Sequence, residues 1–192
     1  MSGPETHKWW HGWRVRLYAL VHRNPASNRA VVHWAQLEPN MRVLDIGCGT
    51  GAAVNTAAPK LAHGQVIGVD PSADFIRIAR RRTQKASNAF FQVATAEELP
   101  FQNATFDVIW SVHSTHHWHH LGAGIGEALR VLRRGGRFLV VERHNPGRPW
   151  GINSVQANGL SAALTAAGFA DVVVEEHRVG WTREFLIWGN KR

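Results

Sequence analysis

From residue 41 onward, short apolar runs alternate with segments in which apolar residues recur at helical spacing. The runs are rich in Val, Ile and Phe, and glycine, proline or polar turn residues bound them, as is typical of buried strands. Five strands are predicted here: Val43–Ile46, Gln65–Asp70, Ala89–Ala94, Phe106–Ser111 and Arg137–Glu142. Four helices are predicted between or after them: Ala52–Leu61, Ser72–Gln84, Ile125–Leu132 and Val155–Ala167. Strands that alternate with helices pair in parallel and carry helices on both faces of one sheet.

The last two predicted strands, Val172–Glu176 and Arg183–Trp188, have no helix between them. Parallel strands need a long crossover connection, so only an antiparallel pairing joins two strands so directly. The predicted fold class is therefore α/β: a single Rossmann-like, doubly wound sheet, mostly parallel, with an antiparallel C-terminal strand. Ser72 is the expected N-cap of its helix, and Gly168 the expected C-terminal cap of the last one. Ligands of such sheets bind beyond the carboxyl ends of the strands, where functional residues are expected.

Residues 1–40 do not follow this alternation and are predicted to be mostly helical. Trp13, Leu17 and Leu20 have approximate helical spacing, and a second helix is predicted over Asn28–Leu37, before Pro39. We therefore predict an N-terminal helical flap, residues 1–40, on a main domain that comprises residues 41–192.

Composition and charge narrow the class of protein. The chain has 192 residues with 44% hydrophobic and 19% charged residues, as expected for one globular domain. It has no apolar run long enough to cross a bilayer and no apolar secretory core at its start, so we expect a cytoplasmic location. The single cysteine, Cys48, excludes an intramolecular disulfide. The net charge of +8 is compatible with a nucleic-acid partner, but most of the densest basic cluster fits the solvated face of the helix Ser72–Gln84.

Three glycines at alternate positions, Gly47, Gly49 and Gly51, follow the first strand directly. A dinucleotide fingerprint has its third glycine one place later, and a phosphate-binding loop ends in Gly-Lys-Ser/Thr, whereas Gly51 is followed by Ala52. Segment 44–59 contains no basic residue that could meet a pyrophosphate. It contains instead Asp45, and a carboxylate at this place favours a ligand with an ammonium or sulfonium group.

Five motifs in order resemble those of class I S-adenosylmethionine-dependent methyltransferases of the small-molecule type, similar to methyltransferase type 11. The resemblance extends over about residues 28–145. Its motifs are Val43–Gly51, the strand end Val69–Ser72, the loop Ala96–Phe101, the fourth-strand region Phe106–Ile109 with His116–Trp118, and the turn Arg130–Gly136. The resemblance implies a Rossmann-like fold, S-adenosylmethionine as cofactor and methyl transfer as activity.

The resemblance also implies which residues contact the cofactor. Asp45 and the glycine loop would face the methionyl part, Asp70 would accept hydrogen bonds from both ribose hydroxyls, and Ser111 would offer its backbone to the amino group. The family usually has Gly-Asp before the Ala-Glu of the adenine-side loop, where this chain has Ala94-Thr95, so a weaker bond to adenine is expected. The full set of implied cofactor contacts is Asp45, Gly47, Gly49, Gly51, Asp70, Pro71, Thr95, Ala96, Glu97 and Ser111.

Five histidines lie within eight residues directly after the fourth strand, at positions 113, 116, 117, 119 and 120. If the acceptor is a hydroxyl, a base helps the transfer, and histidine titrates closest to neutral pH. His113 is the first candidate for this base and His116 the second. Packing of the family's His-His pair and a metal site are the alternative interpretations, because positions 113/117 and 116/120 share a helical face. No carboxylate or cysteine lies within the cluster, so we predict no metal.

Aromatic and basic residues of the flap and of the loops that follow the strands are the candidate acceptor contacts. The predicted set is Trp13, Arg14, Tyr18, Trp118, Arg143 and His144. The aromatic members would form an apolar wall, and the basic members would hold an anionic group.

The sequence favours O-methylation of a small molecule, and two alternatives stay open. The first is a nucleic-acid methyltransferase. Base-amino methyltransferases of this class carry Asp/Asn-Pro-Pro-aromatic after the fourth strand, whereas this chain has Ser111–Ser114 without proline. A cytosine-carbon methyltransferase needs a cysteine nucleophile, and the only cysteine of this chain is inside the glycine loop. Ribose methylation is not excluded. The second alternative is a protein that binds S-adenosylmethionine without turnover.

Overall fold

A computed structural model describes residues 25–83, 86–147 and 151–192. In chain order its helices and strands are α1 (Pro25–Trp34), β1 (Arg42–Ile46), α2 (Ala52–Ala57), β2 (Gln65–Asp70), α3 (Ala73–Arg82), β3 (Ala89–Val93), β4 (Phe106–Val112), α4 (Leu121–Val131), β5 (Leu132–Arg143), α5 (Ser154–Ala167), β6 (Ala170–Val179) and β7 (Thr182–Asn190). Short 3₁₀ turns follow α2 at Ala58–Lys60 and β4 at Thr115–His117.

One seven-stranded sheet, in the order β3-β2-β1-β4-β5-β7-β6, forms the centre of the fold. The first five strands of the chain pair in parallel, and β7 pairs antiparallel with both β5 and β6. This arrangement confirms the predicted fold class, including the antiparallel C-terminal strand. Because β7 runs against β5, residue 184 near the start of β7 lies opposite residue 143 at the end of β5. The antiparallel hairpin therefore brings side chains of its own to the carboxyl edge of the parallel strands.

The sheet separates two hydrophobic cores, as two faces covered by helices require. One core contains the strand residues Phe106 and Phe138, packed against Ile125 of α4 and Leu164 of α5. The other contains Trp110 and the α2 residue Val54, and α1 adds fully buried Val31 to it. Helix α1 thus packs on the sheet as part of the second core. The division into a flap over 1–40 and a domain over 41–192 stays a prediction, since residues 1–24 lie outside the described ranges.

Helix α1 covers Pro25–Trp34 where Asn28–Leu37 was expected, and β5 begins at Leu132, ahead of the expected Arg137. Two further helix boundaries differ from the prediction, and each of these has a local cause. The helix expected over Ala52–Leu61 is α-helical only to Ala57, because Pro59 has no N–H for the α-helical ladder and the chain tightens into a 3₁₀ turn. Helix α4 begins at Leu121, ahead of the predicted start at Ile125. Three glycines in its first two turns lower its helical propensity, and packing against Trp118 stabilises it despite them.

The predicted caps are confirmed. The Ser72 hydroxyl accepts from the Phe75 N–H at the start of α3, and Gly168 ends α5 in the left-handed conformation with a φ of 106°. Among the helices in the described ranges, none has the length and apolar character needed to span a membrane.

Candidate functional site

The glycine loop after β1 is tied to the end of β2. The N–H groups of Gly47 and Cys48 both donate to the Val69 carbonyl, at 2.8 and 2.9 Å. Gly47 has a φ of +77°, and a Cβ on it would lie 1.8 Å from the Ser114 Oγ. Gly49 has a φ of +51°, and a Cβ on it would meet no atom within 4 Å. Only glycine fits at the first position, and the second faces open space into which a ligand can approach.

Asp70, at the end of β2, is locked onto this loop. Its two carboxyl oxygens accept the backbone N–H groups of Gly49 and Ser72, at 3.0 and 2.9 Å. Burial raises the pKa of Asp70 to about 6, and the two backbone hydrogen bonds oppose the rise. A carboxylate has about four lone-pair positions, so two remain for hydroxyl donors of a ligand.

Asp45, in β1, is 2% exposed and lies beside Asp70. Burial raises its pKa to about 7, the Trp110 indole N–H opposes the rise, and the negative charge of Asp70 adds to it. This indole nitrogen nevertheless makes no hydrogen bond of good geometry within the described residues, and neither does the buried Ser111 Oγ on β4. Two buried carboxyl groups that have no cationic partner among the described residues fit a ligand that carries a positive charge and hydroxyl groups, and they disfavour a pyrophosphate.

The predicted adenine-side loop follows β3 on the same edge of the sheet. Thr95 forms an isolated antiparallel bridge with Glu98, and Ala96 is 5% exposed within the first core. Burial alone would raise the pKa of Glu97. The pKa is nevertheless lowered, because the carboxylate accepts hydrogen bonds from backbone N–H groups, including that of His120 at 3.1 Å, and from the Thr95 side chain. Pro71 is exposed at the neighbouring turn. The structure thus brings the predicted cofactor contacts together along one edge of the sheet.

His113, directly after β4, is paired with a carboxylate from the antiparallel hairpin. Its Nε2 lies 2.7 Å from the Glu184 Oε2, and the Glu184 side chain has no exposed surface. The other oxygen of Glu184 accepts hydrogen bonds from Ser27 and Thr182, at 2.9 and 2.8 Å. Burial would raise the pKa of Glu184, but the hydrogen bond and charge of His113 lead the effects that lower it, so the carboxylate is ionised at neutral pH.

His116 is paired with a second buried carboxylate, Glu142, at the end of β5. The His116 Nδ1 lies 3.0 Å from the Glu142 Oε2, while the Thr115 N–H and hydroxyl donate to the Glu142 Oε1. Glu142 therefore anchors the 3₁₀ turn Thr115–His117 to the sheet. Burial would raise the pKa of Glu142. The pKa is lowered instead, because the carboxylate accepts hydrogen bonds from His116 and Thr115 and lies near the charges of His116 and His113.

The third histidine of this group, His117, packs against His116 with ring centroids 4.0 Å apart and the ring planes tilted by 49°. Desolvation of the ring and the charge of His116 lower the pKa of His117. Across the described ranges of the chain, no three His, Cys, Asp or Glu side chains are grouped as metal ligands are.

Three predicted acceptor contacts lie in the described part of the chain, and each has a partner. The Arg143 Nε is 3.8 Å from the Glu184 Oε1, and the His144 Nδ1 is 2.6 Å from the Glu176 Oε1. Trp118 donates from Nε1 to the Ser114 Oγ at 3.2 Å and packs against Gly124 of α4. The other three, Trp13, Arg14 and Tyr18, lie outside the described residues.

Sequence reasoning missed Glu142 and Glu184, which complete the two histidine pairs. Each is a lone carboxylate at the end of an otherwise apolar run, after Val140-Val141 and before Phe185-Leu186-Ile187. An acidic residue next to buried strand positions needs a partner, since a buried unpaired charge is costly. This signal predicts that a partner exists, but it does not identify the histidine.

Comparison with known proteins identifies the family. A family model described as "Methyltransferase domain" matches residues 44–140. The chain is 34% identical over 134 residues to the ubiquinone/menaquinone biosynthesis C-methyltransferase UbiE of Rhizobium leguminosarum bv. trifolii, which covers 64% of this chain and 52% of that protein. It is 36% identical over 101 residues to the fatty-acid O-methyltransferase of Mycolicibacterium smegmatis, which covers 53% of this chain and 36% of that protein. The chain thus spans about half or less of the length of these relatives.

The fold is also that of a solved methyltransferase structure. The crystal structure of a SAM-dependent methyltransferase from Aquifex aeolicus matches with a TM-score of 0.76 at 18% identity, over 92% of this chain and 96% of that one. The chain belongs to the methyltransferase domain family, as a class I, S-adenosylmethionine-dependent member. This confirms the family that the sequence motifs resemble and the predicted cofactor, S-adenosylmethionine.

Proposed function

We propose that this protein methylates a hydroxyl group of a small-molecule acceptor, with S-adenosylmethionine as cofactor and His113 as base. The observation that carries the proposal is the imidazole of His113 at the carboxyl end of β4, held 2.7 Å from the buried carboxylate of Glu184. The neighbouring Ser114 packs over Gly47, so the histidine follows the glycine loop closely in space. A base at this place favours an acceptor that must lose a proton.

The chain's own residues would hold the cofactor by charge and hydrogen bonds. Asp70, fixed by two backbone N–H groups, would accept the ribose hydroxyls, and Asp45 would be stabilised in its ionised form by a nearby positive group. The open space at Gly49 would admit the ligand against the backbone, and Thr95, Ala96 and Glu97 would border the adenine. When bound, the cofactor supplies an electrophilic methyl group on a sulfonium.

His113 would take the acceptor's proton at the ring nitrogen that does not face Glu184. Holding the acceptor oxygen in line with the methyl group supplies much of the rate, because the reactants no longer have to meet in solution. Trp118, Arg143 and His144 stay predicted acceptor contacts, with Trp13, Arg14 and Tyr18. Since Arg143 and His144 each lie against a carboxylate, an anionic acceptor group would have to compete with these pairs.

The relatives do not fix the acceptor atom, because one is named a C-methyltransferase and the other an O-methyltransferase. The choice of oxygen here rests on the base. We further propose a cytoplasmic enzyme whose acceptor is a small molecule and not a nucleic acid, since the chain has no proline motif after β4.

Calorimetry with S-adenosylmethionine and a methyl-transfer assay over hydroxyl, amine, activated-carbon, RNA and DNA acceptors test the proposal. Asp70→Ala should weaken cofactor binding at least about tenfold, because two charge-assisted hydrogen bonds are lost. His113→Ala should lower turnover on hydroxyl acceptors by about 10²–10⁴ and leave cofactor affinity unchanged. Binding without turnover on any acceptor, or turnover on RNA or DNA alone, would overturn the proposal.

A further inference from the structure

We propose that Glu184 is the positioning residue of the site: its carboxylate accepts the Nε2–H of His113 and thereby presents Nδ1 as the proton-accepting atom. The inference deepens the proposed function and rests on it for its catalytic meaning. It assigns a role to a side chain from the antiparallel hairpin, 71 residues away from the histidine in the sequence.

The hydrogen bonds of Glu184 leave one oxygen for the imidazole. Its Oε1 accepts from the hydroxyls of Ser27 and Thr182, and Arg143 lies nearest to the same oxygen. Its Oε2 faces the His113 Nε2 at 2.7 Å. Rotation of the carboxylate would break its hydrogen bonds to Ser27 of α1, to Thr182 of β7 and to His113 after β4 together, so contacts from three parts of the fold fix its orientation.

The charge of Glu184 determines the tautomer of His113. An ionised carboxylate only accepts hydrogen bonds, so the imidazole nitrogen opposite it must carry the proton. In the neutral ring the other nitrogen, Nδ1, then has a free lone pair. The His113 side chain is 23% exposed whereas Glu184 is fully covered, so the solvent and the acceptor reach the ring and not the carboxylate.

The backbone supports this orientation. His113 adopts a φ of +51°, a conformation that costs a non-glycine residue on the order of 1 kcal/mol or more, and its N–H donates to the Val141 carbonyl at 2.8 Å. The turn takes the chain out of the sheet directly after β4. Because β7 runs antiparallel to β5, Glu184 lies on the carboxyl edge of the sheet, where β4 ends.

The second pair, His116 with Glu142, does not carry the same inference. Glu142 holds both the N–H and the hydroxyl of Thr115, so its first role is to anchor the 3₁₀ turn. It also belongs to the charged surroundings of His113, together with Glu184, Arg143 and His116, because the charge of His113 lowers the pKa of Glu142. Removal of Glu184 would therefore leave one carboxylate near the ring.

The experiment compares the wild-type protein with Glu184→Gln by ¹⁵N NMR of the histidine rings and by kinetics. In the wild-type protein without ligand we expect the Nε2–H tautomer of His113. In Glu184→Gln the amide can donate or accept, so a mixture of tautomers is expected. With the acceptor identified in the methyl-transfer assay, kcat should fall at least about tenfold.

Two controls separate positioning from folding. Glu175→Gln changes the exposed partner of His177, a pair outside the site with a similar 2.7 Å distance, and should leave the tautomer of His113 and kcat unchanged. Glu184→Asp keeps the charge and should retain more activity than Glu184→Gln. If Glu184→Gln does not fold, the tautomer measured in the wild-type protein still decides, because an Nδ1–H ring there would overturn the inference.

Failure of the inference and failure of the proposed function give different results. Turnover by the wild-type protein with an unchanged kcat in Glu184→Gln would overturn the role of Glu184 and leave the methyltransferase activity in place. The expected tautomer without turnover on any acceptor would overturn the proposed function and confirm only the orientation of His113 by Glu184.

Discussion

Replacing Asp45 by asparagine removes the negative charge that the protein buries beside its glycine loop. The side chain is 2% exposed, and the like charge of Asp70 adds to the effect of burial on its pKa. The substitution keeps the size of the side chain and changes its charge. We expect Asp45→Asn to stabilise the ligand-free protein at pH 8 and to weaken its binding of S-adenosylmethionine.

The magnitude follows from the pKa of Asp45, which burial raises from 3.8 to about 7. One pKa unit corresponds to about 1.4 kcal/mol, so the ionised side chain at pH 8 costs the folded state about 4 kcal/mol relative to the neutral one. The amide also brings buried N–H donors, which cost about 1–3 kcal/mol if they stay without partners. The net gain for Asp45→Asn at pH 8 is therefore expected to be about 1–3 kcal/mol.

The sign of the pH dependence is fixed by linkage. The folded-state pKa lies above the unfolded one, so the protonated carboxyl causes no loss of stability below about pH 4, and the penalty grows as the pH rises through about 7. The advantage of Asp45→Asn should accordingly be absent at pH 4.5 and largest at pH 8. Chemical denaturation of both proteins at a series of pH values measures it, because the difference between them cancels the titration of all other groups.

Asp107→Asn is the matched control. Asp107 is also buried, at 7% exposure, but it accepts the Arg42 N–H and pairs with Arg133. Loss of that charge should lower the free energy of unfolding at pH 8 by about 1–3 kcal/mol, the opposite sign. A stability difference between Asp45→Asn and the wild-type protein that stays constant from pH 4.5 to 8 would refute the reasoning. So would a variant that is less stable at pH 8 but binds the cofactor as tightly as the wild-type protein.

Three further substitutions test local features of the fold. Gly47→Ala should lower Tm and prevent cofactor binding, because the new methyl group would lie 1.8 Å from the Ser114 Oγ. Its control Gly49→Ala, where the methyl group meets nothing within 4 Å, should lower Tm by only about 2–4 °C, and equal losses in both variants would contradict the packing argument. Asn153→Ala removes the capping box of α5 and should cost about 1 kcal/mol in urea unfolding; an unchanged midpoint would mean that water replaces the cap. Lys191→Met removes an ammonium group that donates to backbone carbonyls at the end of α4 at 2.7 and 2.8 Å, and should cost about 1–3 kcal/mol; superimposable unfolding curves would show that these carbonyls find other partners.

Local patterns predicted the architecture of the sheet well because the signals that determine it are local. Apolar runs of four to eight residues, bounded by turn residues, marked each strand, and the missing helix before β7 required an antiparallel pair. Boundaries were less predictable where two local signals conflict. Gly122, Gly124 and Gly126 oppose helix formation, and α4 begins at Leu121 with Trp118 packed against it.

The edge of the sheet at which the predicted cofactor contacts lie was predictable for the same reason. Glycines at alternate positions and the carboxylates that end or flank two neighbouring strands, Asp45 and Asp70, are visible in the sequence, and a parallel sheet brings its strand ends to one edge. Family membership confirms the cofactor that they imply. The roles of the individual residues stay predictions, which the proposed binding measurements test.

The sequence by itself determined a parallel α/β sheet, a glycine loop without phosphate chemistry and a histidine cluster after β4. Only the tertiary structure decided which histidines have partners: Glu142 lies opposite His116 and Glu184 opposite His113, at separations of 26 and 71 residues. The physical reason is that a side chain's charge is a local property, whereas its partner depends on which strand lies next to it and in which direction that strand runs. Because β7 runs antiparallel to β5, Glu184 lies at the carboxyl edge of the sheet, where His113 directly follows β4.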